Sequence, residues 1–470
     1  MFQAVESCEV LKILKNLRGS KAAGPDNLPA KLIKDAAEEL AAPVSFLINN
    51  SFRSGIFPTV EKSAKVTPVF KSAEKDQFTN YRPISVINIL SKVIEKVAHT
   101  QLSSYFEKSD LLTSGQFGFR QNRSTKDAVT ELINSIRYNM DCKKHTGVLY
   151  MDFSKAFDTV NHSCILHKLP FYGISGSELS WIADYLFNRN QFVNFDGVLS
   201  KPQKITHGVP QGSILGPLLF VILINDIQLH LDKCAILMYA DDTVIFYSSD
   251  SVEDIEKTIN AEAEILNLWI KENYLVLNLK KNKTEFVLYG CKKTKSKCNI
   301  IVNQTTINQP HSYEYLGVTL DKALNLSDHF TQTSKKIGSR IRLLRKIRHQ
   351  ISPTIVEIIY NSTIKPISFY CSDIHLGQSR TWSERFETLN NKTKRIVGQS
   401  ADNWPSIMTQ RKRKLAIDVF KSINGLKLIN NTNYERIAHT IGTRGNNNTL
   451  RIPKCKTKAM KRSTAYQGPA

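Results

Sequence analysis

No stretch of this sequence is apolar for long enough to cross a bilayer. The longest apolar run, 214–224, is interrupted by Gly216 and Pro217, whereas a spanning helix needs about 20 residues. The start does not read as a secretory leader, because Glu6 and Glu9 fall where an uninterrupted apolar stretch would be needed. The 8 cysteines form no C-x-x-C pair and no Cys/His cluster at zinc spacing. They read as free thiols of a reducing compartment, not as disulfides or structural zinc ligands. No internal repeat or low-complexity block stands out. Acid is scarce: 42 Asp and Glu stand against 64 Lys and Arg, a formal charge of +22. That surplus points to a polyanionic partner, and the missing span argues against a membrane.

A chain of 470 residues accommodates roughly two to four domains or subdomains. Residues 5–50 read as helical with a break at "KAAGPDNLP", where Gly24 and Pro25 force a turn. Between 60 and 145, short strands such as "AKVTPVF" mix with helices over 90–106 and 126–138. Strands and helices then alternate to about 320. Within that part Ile255, Ile259, Leu266 and Ile270 recur at helical spacing, which predicts an amphipathic helix on a sheet. Beyond Asp321 the chain turns helical and basic. Phe330, Ile337, Ile341, Leu344 and Ile347 make one face, and Lys335, Lys336, Arg340, Arg342 and Arg345 are among the cations on the rest. A solvated face and a surface that tracks phosphates are the two readings of such a run. From Thr443 onward the chain is polar and basic, and a flexible tail is expected.

Chemistry concentrates around "LMYADDTVIF", 237–246. Two β-branched and aromatic runs of strand length flank Ala240, Asp241 and Asp242, which predicts a tight hairpin turn. Alone, this is an acidic turn at a sheet edge. A second site lies upstream in "GVLYMDFSKAFDTVNH", where a strand over 148–151 ends on Asp152. Asp158, just before "TVNH", reads as a helix cap. If the strand ending at Asp152 pairs beside the hairpin, three carboxylates meet. They would repel one another and raise each other's pKa unless a divalent cation lay among them. Mg²⁺ is a hard ion that accepts few carboxylates and leaves positions for water and substrate phosphates, and a pair of such ions can clamp an in-line displacement. The constellation fits nucleotidyl transfer without a side-chain nucleophile.

"YADD" after a strand, "MDFSKAFD" before it and "HGVPQGSILGPLLFVILINDI" between them resemble the reverse transcriptases of non-LTR, LINE-type retrotransposons, and within them the jockey-like elements. The order of blocks agrees over about 20–320. "KAAGPDNLP" resembles the family's fingertip extension, "AKVTPVFKS" and "NYRPISVINILSKVIEKV" its finger motifs, and "QFGFRQNRSTKDAV" the element before the first catalytic Asp. "NLKKNKTEFVLYG" and "YEYLGVTLD" follow "YADD" in family order.

The resemblance implies metal binding by Asp152, Asp241 and Asp242, with the carbonyl of Phe153 as an extra ligand, and a cofactor of two Mg²⁺ ions, Mn²⁺ being an alternative. Phe157, five residues after Asp152, matches an aromatic gate under the sugar. A ring there leaves no room for a 2′-hydroxyl and favours dNTPs; the alternative is a core aromatic. RNA-dependent RNA polymerases use a second Asp at that spacing, and here the Asp comes one residue later. Gln211 and Gly212 of "GVPQGS" would line the nucleotide pocket, glycine allowing close backbone approach, with a plain turn as the alternative. Arg82 matches a finger residue that grips the triphosphate with its planar fork, and Lys71 is a second cation there. A surface arginine is the alternative for Arg82. Lys283 is a candidate general acid for pyrophosphate departure, in competition with Lys280 and Lys281 and with a surface role. Tyr315, Leu316 and Gly317 would form the primer grip, or an ordinary strand and turn.

The expected fold is α+β: a right-hand polymerase with fingers, palm and thumb, a small antiparallel palm sheet backed by helices, and a helical basic C-terminal part. The expected spans are a fingertip extension over 1–59, fingers over 60–145, palm over 146–320 with a finger-contributing insertion at about 160–205, thumb over 321–400, and a basic, partly flexible region over 401–470. The expected activity is RNA-directed DNA synthesis from a primer 3′-hydroxyl with dNTPs. Its partners are an RNA template and a DNA primer or nicked target DNA, in a nuclear or cytoplasmic ribonucleoprotein. The alternative is a catalytically silent copy that binds nucleic acid. Several family features are not visible in this sequence: no apurinic-type endonuclease stands before the polymerase blocks, so the chain is expected to be either a fragment or dependent on other sources of nicked DNA; no Trp-Gly pair stands at "FYCSDIHLG", where His375 and Leu376 precede Gly377; and no convincing RNase H acids or zinc knuckle are seen. A group II intron-type enzyme would add a maturase segment or an HNH nuclease, and neither is visible.

Overall fold

Strands Ser63–Phe70 and Tyr81–Ile87 form a half-buried hairpin whose inner ends bury Ala64, Val66, Ser85 and Ile87. The computed structural model describes residues 2–71, 74–290, 298–377, 379–398, 401, 403–425 and 450–468. The chain folds as two compact units. The first comprises Met1–Phe119, Phe153–His230 and Ile265–Leu277, and the second Arg120–Asp152, Leu231–Glu264 and Asn278–Ala470. The chain therefore passes back and forth between units and does not divide into consecutive blocks. Among the described residues no helix is long and apolar enough to cross a membrane. The seven described cysteines are free thiols, and Cys291 lies outside the described residues.

The first unit holds a five-stranded sheet. Ser63–Phe70 pairs antiparallel with Tyr81–Ile87 and parallel with Asn190–Phe195. Asn190–Phe195 carries the short strands Val198–Leu199 and Gln203–Lys204. The segment 160–205 thus gives strands to the sheet begun at 63. Helix Gly216–Ile224, "GPLLFVILI", is apolar on every side, and all of it except Pro217 is buried, as such composition requires.

The second unit holds a four-stranded sheet with Glu285–Tyr289 at one edge, then His145–Asp152, then Asp242–Ser249, and Ala235–Tyr239 at the other edge, every pair antiparallel. Helix Thr125–Asp141 packs against His145–Asp152 and Ala235–Tyr239. Gly147 marks the close approach of helix Val252–Glu272, because a Cβ there would lie 2.4 Å from Ile255 Cγ2. Helix Ser327–Ile347 buries Phe330, Ile337, Ile341 and Leu344, while Lys335, Lys336, Arg340, Arg342 and Arg345 are exposed. Its start is fixed by the buried Asp321, whose carboxylate accepts hydrogen bonds from the backbone N–H groups of Ala323, Asn325 and Leu326.

The tail from Thr443 is expected to be flexible. Residues 443–449 lie outside the described residues, but 450–468 carry helical turns Lys458–Lys461 and Thr464–Gln467 with Ser463 and Thr464 buried. Their polar groups pair with helix Thr125–Asp141, which composition alone does not reveal. Asp158 is not a helix cap. The helix begins at His162, where the side chain of Asn161 accepts from Cys164 N–H, and Asp158 instead accepts a 2.8 Å hydrogen bond from Gln211 Nε2.

Candidate active site

The hairpin at "YADD" is tighter than the sequence suggests. Tyr239 pairs with Asp242, so only Ala240 and Asp241 form the loop, and Ala240 takes a left-handed φ of 57°. Two-residue loops with such a residue match the twist of paired strands. Asp242 is therefore in a strand, not in the turn, and its direct partner on the neighbouring strand is Asp152. Directly opposed residues of an antiparallel pair share one face with Cβ atoms about 4.5–5.5 Å apart, and like charges there are destabilising. The cost is visible at Asp242. Burial, followed by the charges of Asp241 and Asp152, pushes its carboxyl up to about 6.

Asp152 is held by groups from the segment that follows the acidic hairpin. Asn278 Nδ2 donates to Asp152 Oδ2 at 3.0 Å, and Asn278 N–H donates to the Asp152 carbonyl at 2.8 Å. Lys283 Nζ lies 3.3 Å from Asp152 Oδ1. Lys283, not Lys280 or Lys281, is thus the lysine of "KKNK" that reaches the acids. Tyr313 O–H donates to the Lys283 carbonyl at 3.1 Å, and its ring stacks on Tyr150 at 4.0 Å. Asn278 and Tyr313 were not singled out from sequence; their only signal is their place inside the "NLKKNK" and "YEYLG" blocks. Tyr315, Leu316 and Gly317 close a second two-residue hairpin, with φ of 45° at Leu316 and 80° at Gly317. Tyr315 is buried with its ring 5.7 Å from Tyr150, and the Leu316 carbonyl accepts from Tyr370 O–H at 2.5 Å.

Among the described residues no group of three or more His, Cys, Asp or Glu side chains is gathered closely enough to hold a metal ion by itself. An all-carboxylate set at a strand end, with one member pushed up to about 6 by burial and then by the charges beside it, still suits a hard cation that takes one or two carboxylates and completes its shell with water and phosphate.

The first unit brings together a different set. Gln211 O accepts from Ser85 N–H at 2.8 Å, and Gly212 has a φ of 138° with a virtual Cβ only 2.3 Å from Ser85 O. No other residue fits there. The backbone of Phe157 accepts from Val209 N–H at 2.9 Å, and its half-buried ring lies 5.0 Å from that of Phe220 and 6.2 Å from that of Phe119. Phe157, Gln211 and Gly212 are therefore neighbours, tied by the Gln211–Asp158 bond. The turn is anchored by Glu95, which sequence reading missed. It is fully buried, accepts from Ile214 N–H at 2.6 Å and Leu215 N–H at 3.3 Å, and burial raises its carboxyl. Arg82 and Lys71 lie elsewhere, exposed at the outer end of the Ser63–Phe70 and Tyr81–Ile87 hairpin. Arg82 is three residues from Ser85, about 10 Å along an extended strand. Phe153 is buried and bridges to Leu277.

Residues 72–320 match the family described as reverse transcriptase (RNA-dependent DNA polymerase). The chain belongs to the reverse transcriptase family. The matched span contains both strands that bear the acids, Lys283 and the Gln211 turn, whereas Lys71 and helix Ser327–Ile347 lie outside it. The chain is 28% identical over 409 residues to a probable RNA-directed DNA polymerase from transposon BS of Drosophila melanogaster, covering 83% of this chain and 44% of that protein. It is 26% identical over 406 residues to the RNA-directed DNA polymerase from mobile element jockey of the same organism, covering 84% and 44%. A probable RNA-directed DNA polymerase from transposon X-element, also of Drosophila melanogaster, matches at 26% over 408 residues, covering 83% and 44%. The chain thus spans less than half the length of these relatives.

Proposed function

We propose that this chain copies RNA into DNA as the reverse transcriptase of a non-LTR, jockey-like retrotransposon, extending a primer 3′-hydroxyl with dNTPs. The observation that carries the reading is the register that sets Asp152 opposite Asp242, one residue past Asp241, in a reverse-transcriptase chain. In this reading the five-stranded sheet is the fingers, with 1–59 as its fingertip extension and 160–205 as the contributing insertion. The four-stranded sheet is the palm, and helix Ser327–Ile347 opens the thumb.

Asp152, Asp241 and Asp242 would hold the divalent ions. When bound there, Mg²⁺, or Mn²⁺ in its place, would supply positive charge that lowers the pKa of the primer hydroxyl and offsets charge on the departing phosphate, two ions being expected. Asn278 fixes the Asp152 carboxylate, and Lys283, held beside it, is placed to protonate the leaving pyrophosphate. Phe157 excludes a 2′-hydroxyl, Gln211 and Gly212 floor the base and sugar pocket, and Arg82 with Lys71 grips the triphosphate. Tyr315, Leu316 and Gly317 position the primer end. Lys335, Lys336, Arg340, Arg342 and Arg345 follow the template-primer backbone. The partners are an RNA template and a DNA primer or nicked target DNA, in a nuclear or cytoplasmic nucleoprotein.

Primer extension on an RNA template tests the proposal. With Mg²⁺ and dNTPs the wild-type chain extends the primer and Asp241→Asn does not. A folded wild-type chain that binds the primed template but never extends it would make this a nucleic-acid-binding protein instead.

A further inference from the structure

Residues 450–468 lie beyond the family match and have no part in the chemistry above, yet they are built onto the unit that carries the acids. Lys456 N–H and Thr457 N–H donate to Asp141 Oδ1 at 2.9 and 2.5 Å. Asn134 Nδ2 donates to Thr464 Oγ1 at 2.5 Å, and Thr464 N–H donates back to Asn134 Oδ1 at 3.3 Å. Arg137, fully buried, donates to the Arg462 carbonyl at 2.8 Å. Asp141, Asn134 and Arg137 all belong to helix Thr125–Asp141, which packs on two strands of the four-stranded sheet. Backbone groups and one threonine make these anchors, and no lysine ammonium group takes part.

The cations are left outward. The segment has six Lys and Arg, at 451, 454, 456, 458, 461 and 462, and no Asp or Glu. Lys454, Lys456, Lys458 and Lys461 are exposed, and among the described residues none of these four ammonium groups meets a carboxylate. Holding four uncompensated cations on one short anchored segment raises their mutual repulsion, which a polyanion relieves.

We propose that residues 450–468 form a second surface for a nucleic-acid backbone, separate from helix Ser327–Ile347. A lipid surface fits less well, because interfacial binding needs an amphipathic helix with an apolar face. The two helical turns here are four residues each, and Met460 is buried. The proposal rests on the polymerase reading, which supplies the nucleic acid.

The test uses the full chain with Lys454, Lys456, Lys458 and Lys461 all changed to Gln. A control variant carries Gln at Lys108, Lys233, Lys257 and Lys271, exposed lysines assigned to no nucleic-acid surface, so that both variants lose the same charge. Binding of a labelled primed RNA template is followed by fluorescence anisotropy across a KCl series. The segment variant should bind about 10-fold more weakly at moderate salt, and its slope of log K against log salt should shrink by roughly 2.8 to 3.6 if all four lysines meet phosphates, at about 0.7–0.9 per lost contact. The control should stay within about 2-fold of wild type, and both should melt as wild type does, since the anchors are untouched. Wild-type affinity and slope in the segment variant, or a loss no larger than the control's, overturns the proposal. So does a variant that loses binding to anionic phospholipid vesicles but keeps binding to nucleic acid. A wild-type chain that binds no primed template fails earlier, at the polymerase reading itself.

Discussion

Asp242 is half-buried and faces a second carboxylate, Asp152, across a strand pair. Its carboxyl sits at about 6 in the folded chain against an ordinary 3.8, mainly through burial and then through Asp241 and Asp152. A raised carboxyl binds its proton more tightly when folded, so the folded state loses stability as pH rises from about 4 through 6 and the loss persists above that. A shift of this size corresponds to on the order of 3 kcal/mol. Asp242→Asn should therefore be more stable than wild type at pH 8 in EDTA, with the gap closing towards pH 4. Urea unfolding at the two pH values checks this, and a gap that does not change with pH would remove the electrostatic account. Lys283→Gln should lower the extension rate by about 100-fold, as loss of a general acid does, whereas Lys280→Gln and Lys281→Gln stay near wild type. Equal losses in all three variants would place the lysine's role in surface charge. Sequence pattern singled out the three acids because they sit at strand ends between apolar runs, whereas Lys283 came only from the family resemblance and stood level with Lys280 and Lys281. Sequence pattern did not reach Asn278 or Glu95, whose roles depend on partners 126 and 119 residues away in the chain.

At the scale of elements, the Gly147 contact shows how close packing is written into the strand that ends on Asp152. A methyl group there would lie 2.4 Å from Ile255 Cγ2 and 3.0 Å from the Phe286 ring. Gly147→Ala should cost roughly 1–3 kcal/mol by overpacking, and adding Ile255→Val should recover part of it. Chemical denaturation of the single and double variants measures the coupling, and independent effects would mean the helix and strand are not in contact. Strands, the acidic hairpin and the amphipathic helices were legible because each has a period of its own in the sequence. Long-range polar pairing was not: Lys126 joins Asp373 at 3.4 Å and also pairs with Asp418, and no local pattern announces such a link. The misread Asp158 has the same origin, a polar residue whose partner, Gln211, lies far along the chain.

On the scale of the whole molecule, the +22 charge is a statement about binding. Association with a primed template should weaken steeply with salt, and Arg342→Gln with Arg345→Gln should reduce the slope by roughly 1.4 to 1.8 if both meet phosphates. A flat salt dependence would detach the charge from the function. The family order of blocks was readable from end to end of the matched span, but the interleaving of the two compact units was not, since it depends on which segments meet and not on where each begins.

Catalysis as proposed requires the acids at "YADD" and Asp152 to be a divalent-ion site. Titration of the full chain with Mn²⁺, followed by electron paramagnetic resonance, tests that directly in wild type, Asp152→Asn and Asp241→Asn. Wild type should bind Mn²⁺ that Mg²⁺ displaces, and either variant should lose at least about 10-fold in affinity. Equal Mn²⁺ binding by all three chains would contradict the proposed site.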